Sequence, residues 1–182
     1  MEFNEDGTIK TLVPDMRGVG YLSAPQETRR NLALQADFRA SSEKAPRTAV
    51  VDIETQPNDP LPEKASVKKY TRTHTYQAAH VGDESNGTRW MAAVTDSSPY
   101  ITVDLKEMRN VGECQFYFTK PPEGHTWRLE KSVDGKHWQV CAEEKKLQAR
   151  SPHVAKGIGE ARYLRLHILR GDAGMWEWKI YE

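Results

Sequence analysis

The stretch Asp83-Glu84-Ser85-Asn86-Gly87-Thr88-Arg89-Trp90 gathers carboxylate, amide and hydroxyl side chains into one short loop closed by an indole. Such groups are hard oxygen donors, suited to a hard cation and poorly suited to a soft-metal centre. Trp90 gives the loop a large apolar anchor to bury. Two distant segments, Arg162-Tyr163-Leu164-Arg165-Leu166 and Trp176-Glu177-Trp178, read as strands able to pack against that anchor. The pattern suggests a β-sandwich held at one corner by a cation, a binding module and not a catalyst.

Other chemistry finds little support. A glycosidase needs a carboxylate pair across a cleft, and the candidates are Glu130, Asp134, Glu143, Glu144 and Glu177. Glu143-Glu144-Lys145-Lys146 reads as a solvated charge run, and Asp134 belongs to an Asp-Gly turn. His74, His125, His137, His153 and His167 show no HExxH spacing, and no phosphate-cradling glycine loop or G-x-S-x-G elbow is present. Cys114 and Cys141 cannot make a zinc site without other ligands; two separate buried thiols or one inter-strand disulfide both remain open.

The elements that must position the loop are β-strands. In Tyr100-Ile101-Thr102-Val103-Asp104-Leu105 the apolar face is Ile101, Val103 and Leu105; in Cys114-Gln115-Phe116-Tyr117-Phe118 it is Cys114, Phe116 and Phe118. Strands ending at Ser132 and beginning at Trp138 flank Asp134-Gly135, a hairpin signal. Leu164, Leu166 and Ile168 share a face, as do Trp176, Trp178 and Ile180. Asn31 to Ser42 reads as strand-like, Ala49 to Ile53 as a strand, and Tyr76 to His80 as one helical turn entering the Asp83 loop. Residues 43 to about 75, with the turn cluster Pro57-Asn58-Asp59-Pro60-Leu61-Pro62, form an excursion from the core. Many short alternating strands imply an all-β fold, an antiparallel sandwich over residues 31–182. Residues 1–30 form a separate extension whose Asp6-Gly7 hairpin is too small to bury a core alone. Trp90, Trp127, Trp138 and Trp178 belong to the expected core, and Arg165 and His167 to an outer sheet surface. Trp176 is read as core before partial exposure.

At 182 residues the chain suits one domain plus an extension, and 26 Lys+Arg against 26 Asp+Glu leave no net field toward nucleic acid or anionic membrane. No apolar run is long enough to span a bilayer, and the polar N-terminus does not read as a signal peptide. Any export signal is expected to lie on a longer parent chain or to have been removed.

Asp83 to Trp90, then Ile101 to Leu105, then Leu129-Glu130-Lys131-Ser132-Val133-Asp134-Gly135-Lys136-His137-Trp138, then Ala161 to Leu166 resemble, in order, the signature of the discoidin domain. This is also called the coagulation-factor type C domain and includes carbohydrate-binding module family 32. The resemblance covers about residues 31 to 182 and implies a galactose-binding-like jelly roll with calcium in the loop before the aromatic anchor. It assigns carboxylates to Asp83 and Glu177, a hydroxyl or carbonyl oxygen to Thr88, and backbone carbonyls to Ser85 and His80. Calcium takes six to eight such oxygens, and without a cation two buried carboxylates would face each other. The alternative is that Asp83 and Glu177 only accept hydrogen bonds from loop amides. Glu84 stands where the family pattern has glycine, implying ordinary backbone angles, and Ser85 where an acid or amide is common.

The resemblance also implies a glycan site on loops at one end of the sandwich. Lys120 and His125, in Lys120-Pro121-Pro122-Glu123-Gly124-His125, are candidate hydroxyl donors, although the arginine and asparagine pair of galactose binders is missing. His74, in Thr71-Arg72-Thr73-His74-Thr75-Tyr76, His153, in Ser151-Pro152-His153, and the aromatic Trp176 complete the candidates. A weaker resemblance, of Phe3 to Ile9 with Val13-Pro14 and Gly18-Val19, is to the closing strand of glycoside hydrolase family 43 catalytic propellers. Together these imply a non-catalytic, carbohydrate-binding accessory module of a secreted, periplasmic or cell-surface hydrolase. The alternatives are a scaffold against the catalytic propeller and a protein or lipid adhesion domain.

Overall fold

The computed structural model of the chain describes residues 29–53 and 68–182. The expected extension up to residue 28 and the Pro57 to Pro62 turn cluster lie outside them. The strands are β1 (Asp37–Ala40), β2 (Arg47–Ile53), β3 (Lys68–His74), β4 (Trp90–Met91), β5 (Tyr100–Phe118), β6 (His125–Ser132), β7 (Gln139–Gln148), β8 (His153–Arg170) and β9 (Gly174–Tyr181). All described pairings are antiparallel, and β2 and β3 form a hairpin of their own. That hairpin is the excursion expected before the Asp83 loop.

Two long strands serve both layers of the sandwich. The first part of β5 pairs with β1 and with the end of β8, while its last part pairs with β9 and with the start of β8. The bend comes at Lys106, whose φ of 70° is in the left-handed region, and the Lys106 amide donates to Asp104 Oδ1 at 2.7 Å. Partner strand β8 has its own irregularity opposite Val111 to Glu113, where Gly157 and Gly159 have φ of 68° and 78°, angles that cost glycine little. One layer therefore runs β1, β5, β8, β6, β7, and the other runs β8, β5, β9, β4.

Between the layers lies the core. Ile101, Val103, Leu129, Leu164 and Leu166 are fully buried from one side, and Cys114, Phe116, Trp178 and Ile180 from the other. Phe116 meets Trp127 edge-on across the sandwich at 5.0 Å between centroids, and Phe38 meets Trp178 at 6.2 Å. Both cysteines are free. Among the described residues no helix is long and apolar enough to cross a membrane.

The structure corrects the sequence reading at several places. Leu32–Gln35 is a 3-10 turn and not the start of a strand, because the Asn31 carboxamide oxygen accepts from the Ala33 amide at 3.1 Å and caps it. Trp138 lies just before β7 and is half-buried on the outer face, under the Arg165 guanidinium at 4.1 Å from the ring centre. His153 opens β8 and is fully buried, where a polar loop was expected.

Candidate functional site: the Asp83 loop and the Trp176 pocket

A 3-10 turn over Ala78–Gly82 delivers the chain into the Asp83 loop, and its first amide is held by Glu43 Oε1 at 2.7 Å. Within the loop, Asp83 Oδ1 accepts from the Ser85 amide at 3.0 Å, and Asp83 Oδ2 accepts from the Thr88 hydroxyl at 2.7 Å. His80 Nδ1 donates to the Arg89 carbonyl at 3.2 Å and braces the loop's exit. Trp90 is fully buried, its indole N–H donating to the Ser42 carbonyl at 3.0 Å.

Glu84 does not have the ordinary backbone angles expected of it. Its φ is 52°, in the left-handed region that usually favours glycine. Asn31 Nδ2 donates to Glu84 Oε1 at 3.2 Å, while Asn31 Oδ1 accepts from the Ile180 amide at 3.0 Å. One buried asparagine thus ties the loop to the last strand. Its only sequence signal was its place before an apolar turn.

Glu177 comes to the same corner from β9. It is 6% exposed, and neither carboxylate oxygen makes a well-formed hydrogen bond among the described residues, the Glu84 backbone amide giving it only slight support. Burial, followed by the Asp83 charge, pushes its pKa up to about 7, with Lys179 opposing. A buried carboxylate without a partner beside another carboxylate is costly unless a cation neutralises it. The described residues contain no cluster of three or more His, Cys, Asp or Glu groups able to hold a metal. A cation here would rely on two carboxylates plus hydroxyl and backbone oxygens, a hard, all-oxygen set that fits calcium and not zinc.

Beside this corner β9 carries a β-bulge. Tyr117 pairs with Glu177 and Phe118 with Met175, so Trp176 is the extra residue. Met175 and Trp178 point into the core, and Trp176 is left half-buried outside it. The expected shared face of Trp176, Trp178 and Ile180 is therefore corrected: only Trp178 and Ile180 hold it. The Trp176 indole lines a pocket of about 550 Å³ together with Tyr117, Lys179, Asn86, Glu84 and Glu177. The Arg89 guanidinium lies 4.7 Å from its ring centre. Tyr117 and Lys179 were absent from the sequence-derived site, though their alternation with buried neighbours already placed them on the outer face.

The other expected ligand residues do not join this pocket. His125 and His153 are fully buried, His125 stacked on Phe118 at 4.1 Å and His153 accepting from Trp127 Nε1 at 3.1 Å on Nδ1. Both act as core aromatics, which withdraws them from a surface sugar site. Lys120 is exposed and paired with Glu123 at 3.2 Å and Asp172 at 3.5 Å. His74 is the last residue of β3, opposite Arg47 in the separate hairpin.

Residues 63–181 match the model of the F5/8 type C domain. The chain belongs to this family. The F5/8 type C domain is similar, at 35% identity and a TM-score of 0.70, to a solved chain described as a glycoside hydrolase; the match covers 99% of this chain and 38% of that one. A family 32 module, CBM32-5 of a glycoside hydrolase family 89 protein from Clostridium perfringens solved with GalNAc-β-1,3-galactose, matches at 16% identity and TM-score 0.60, covering 84% of this chain and 100% of that one. Chitosan-binding module 2 of a chitosanase/glucanase from Paenibacillus sp. IK-5, solved with chitotriose, matches at 15% identity and TM-score 0.60, over 84% and 100%. At these low identities the two modules share the fold. No curated protein matches the chain.

Proposed function

We propose that this F5/8 type C domain is a non-catalytic carbohydrate-binding module of a polysaccharide-degrading hydrolase. The observation that carries this reading is the bulge that turns Trp176 out of the core into a polar pocket. An indole offers an apolar face to a pyranose, and Tyr117, Lys179, Asn86 and Glu84 surround it with donors and acceptors for hydroxyls. The lining contains two half-buried aromatic side chains, and its two carboxylates serve the corner behind it, Glu84 accepting from Asn31 and Glu177 buried beside Asp83, which suits recognition. Calcium is proposed at the corner behind the pocket, held by Asp83, Glu177, Thr88 and the carbonyls of Ser85 and His80. Its role there is to neutralise Glu177 and fix the Asp83 loop.

The parent is read as a glycoside hydrolase of the family 43 type, acting on arabinosides, xylosides or galactosides outside the cytoplasm. The likeness to a glycoside hydrolase over nearly the whole chain supports a hydrolase parent. The family 43 assignment rests on the resemblance of residues 3–19. A glycan array probed with the intact chain, in calcium, tests the binding role. Retention on plant or host polysaccharides supports it, and an empty array with a folded protein would leave the scaffold role in its place.

A further inference from the structure

The opposite layer carries a second aromatic pocket, of about 410 Å³, that shares no lining residue with the first. It lies on the outer face formed by β1, the first part of β5 and the end of β8, roofed by the β6–β7 hairpin. Its aromatic walls are Trp138 and Tyr163, its floor includes Thr102, and Arg39 and Lys136 stand among its lining residues.

Both rings are held before any ligand arrives. Arg165 lies over Trp138 at 4.1 Å and is fixed by Glu130 Oε2, which accepts from its Nε at 2.8 Å and its Nη2 at 2.6 Å. Gly135, at φ 72°, faces Tyr163, where a Cβ would make ordinary contact 3.4 Å from the ring, and the Arg162 guanidinium lies 4.9 Å from the ring centre. Rings fixed this way lose little side-chain entropy on binding.

The charge in this pocket is unbalanced in one direction. Its three carboxylates are already engaged: Asp104 by Arg162 at 3.0 and 3.1 Å, Asp37 by Lys106 at 3.2 Å, and Asp134 by the Lys136 and His137 amides at 2.8 and 2.9 Å and the His137 ring at 2.6 Å. Arg39 and Lys136, in contrast, have no side-chain ion pair or hydrogen bond among the described residues. A ligand entering between the rings therefore meets two uncommitted cations and no uncommitted anion.

We infer that this pocket is a second saccharide site, selective for a sugar that carries a carboxylate, a uronate. The pyranose stacks on Trp138 and Tyr163, and its carboxylate takes charge-assisted hydrogen bonds from Arg39 and Lys136. The inference rests on the reading of the domain as a glycan binder, but it uses different residues and a different ligand.

Calorimetric titration of the intact chain with a short oligogalacturonate, and separately with a neutral ligand of the Trp176 pocket drawn from the glycan array, tests it. The oligogalacturonate is expected to bind, more weakly as salt rises, and to lose about tenfold or more in affinity, roughly 1.4 kcal/mol, in the exposed-cation double variant Arg39→Gln/Lys136→Gln. That variant leaves neutral-sugar binding unchanged, and Trp176→Ala leaves oligogalacturonate binding unchanged. Oligogalacturonate that fails to bind while the neutral sugar does would overturn this site alone, as would affinity unchanged in the double variant or lost in Trp176→Ala. A folded chain that binds neither ligand would overturn both readings.

Discussion

Glu177 on β9 is buried beside Asp83 with neither carboxylate oxygen in a well-formed hydrogen bond among the described residues, and its pKa is raised to about 7 by burial and by the Asp83 charge. The arrangement is unfavourable without a cation and favourable with one, so a single substitution should change sign with calcium. In chelator, Glu177→Gln is expected to raise the melting temperature by a few degrees, corresponding to roughly 1–2 kcal/mol of relieved desolvation and repulsion. In calcium the same variant melts lower than the parent, because it loses a ligand. Melting curves of both proteins in chelator and after calcium readdition check this; a parent curve that ignores chelation and readdition would remove the ion from the account.

The buried histidines predict sensitivity to acid. Burial, then Arg150 and His125, push the His153 pKa down to about 4, and burial pushes that of His125 down as well. The unfolded chain binds these protons near the ordinary histidine pKa of about 6.5, so between there and pH ~4 it carries more protons than the fold. The stability from His153 is thus complete above about pH 6.5 and is lost as pH falls through that window. His153→Gln keeps an acceptor for Trp127 Nε1 and cannot charge. Thermal melts from pH 7.5 to 4.5 should show a shallower acid slope for this variant, and an identical slope would exclude His153 as its source.

Gly82 ends the turn that feeds the Asp83 loop, where a Cβ would lie 2.4 Å from Phe38 and 2.9 Å from the Ala33 carbonyl oxygen. Gly82→Ala is therefore expected to cost about 1–3 kcal/mol by overpacking and to weaken the proposed calcium site along with it. Denaturant unfolding measures the first effect, and a melt with and without calcium measures the second.

Trp176 and Trp178 are neighbours with opposite roles. Trp178→Ala removes a fully buried ring and should cost about 3–5 kcal/mol. Trp176→Ala, at a half-buried ring outside the core, should cost about 1 kcal/mol or less. Denaturant midpoints compare them, and equal losses would mean that Trp176 is a core residue after all.

Much of the fold could be read in the chain because alternation survives wherever one face is buried. Ile101, Val103 and Leu105, then Cys114, Phe116 and Phe118, point inward as their spacing requires. That these two runs are one strand was hidden, because the Lys106 bend and the register shift after Asp104 break the alternation between them. Trp176 was misplaced for a related reason: a bulge adds one residue and reverses the face of what precedes it, with no obligatory sequence mark. His125 and His153 looked like surface donors because type and loop-like neighbours say nothing about a Phe118 ring waiting to stack on them. The Asp83 loop and its distant partner Glu177 were legible through their oxygens. The cost of leaving Glu177 unpaired needed the structure.

Trp176 is proposed as the stacking surface of the glycan pocket. The most direct measurement is calorimetric titration of the glycan retained on the array into the parent chain and into Trp176→Ala, with folding of both verified by thermal melting in calcium. Saturable binding to the unsubstituted chain and a loss of about tenfold or more in the variant are expected, as for removing a stacking ring worth roughly 1.4 kcal/mol or more. Equal affinity in two equally folded proteins would contradict it.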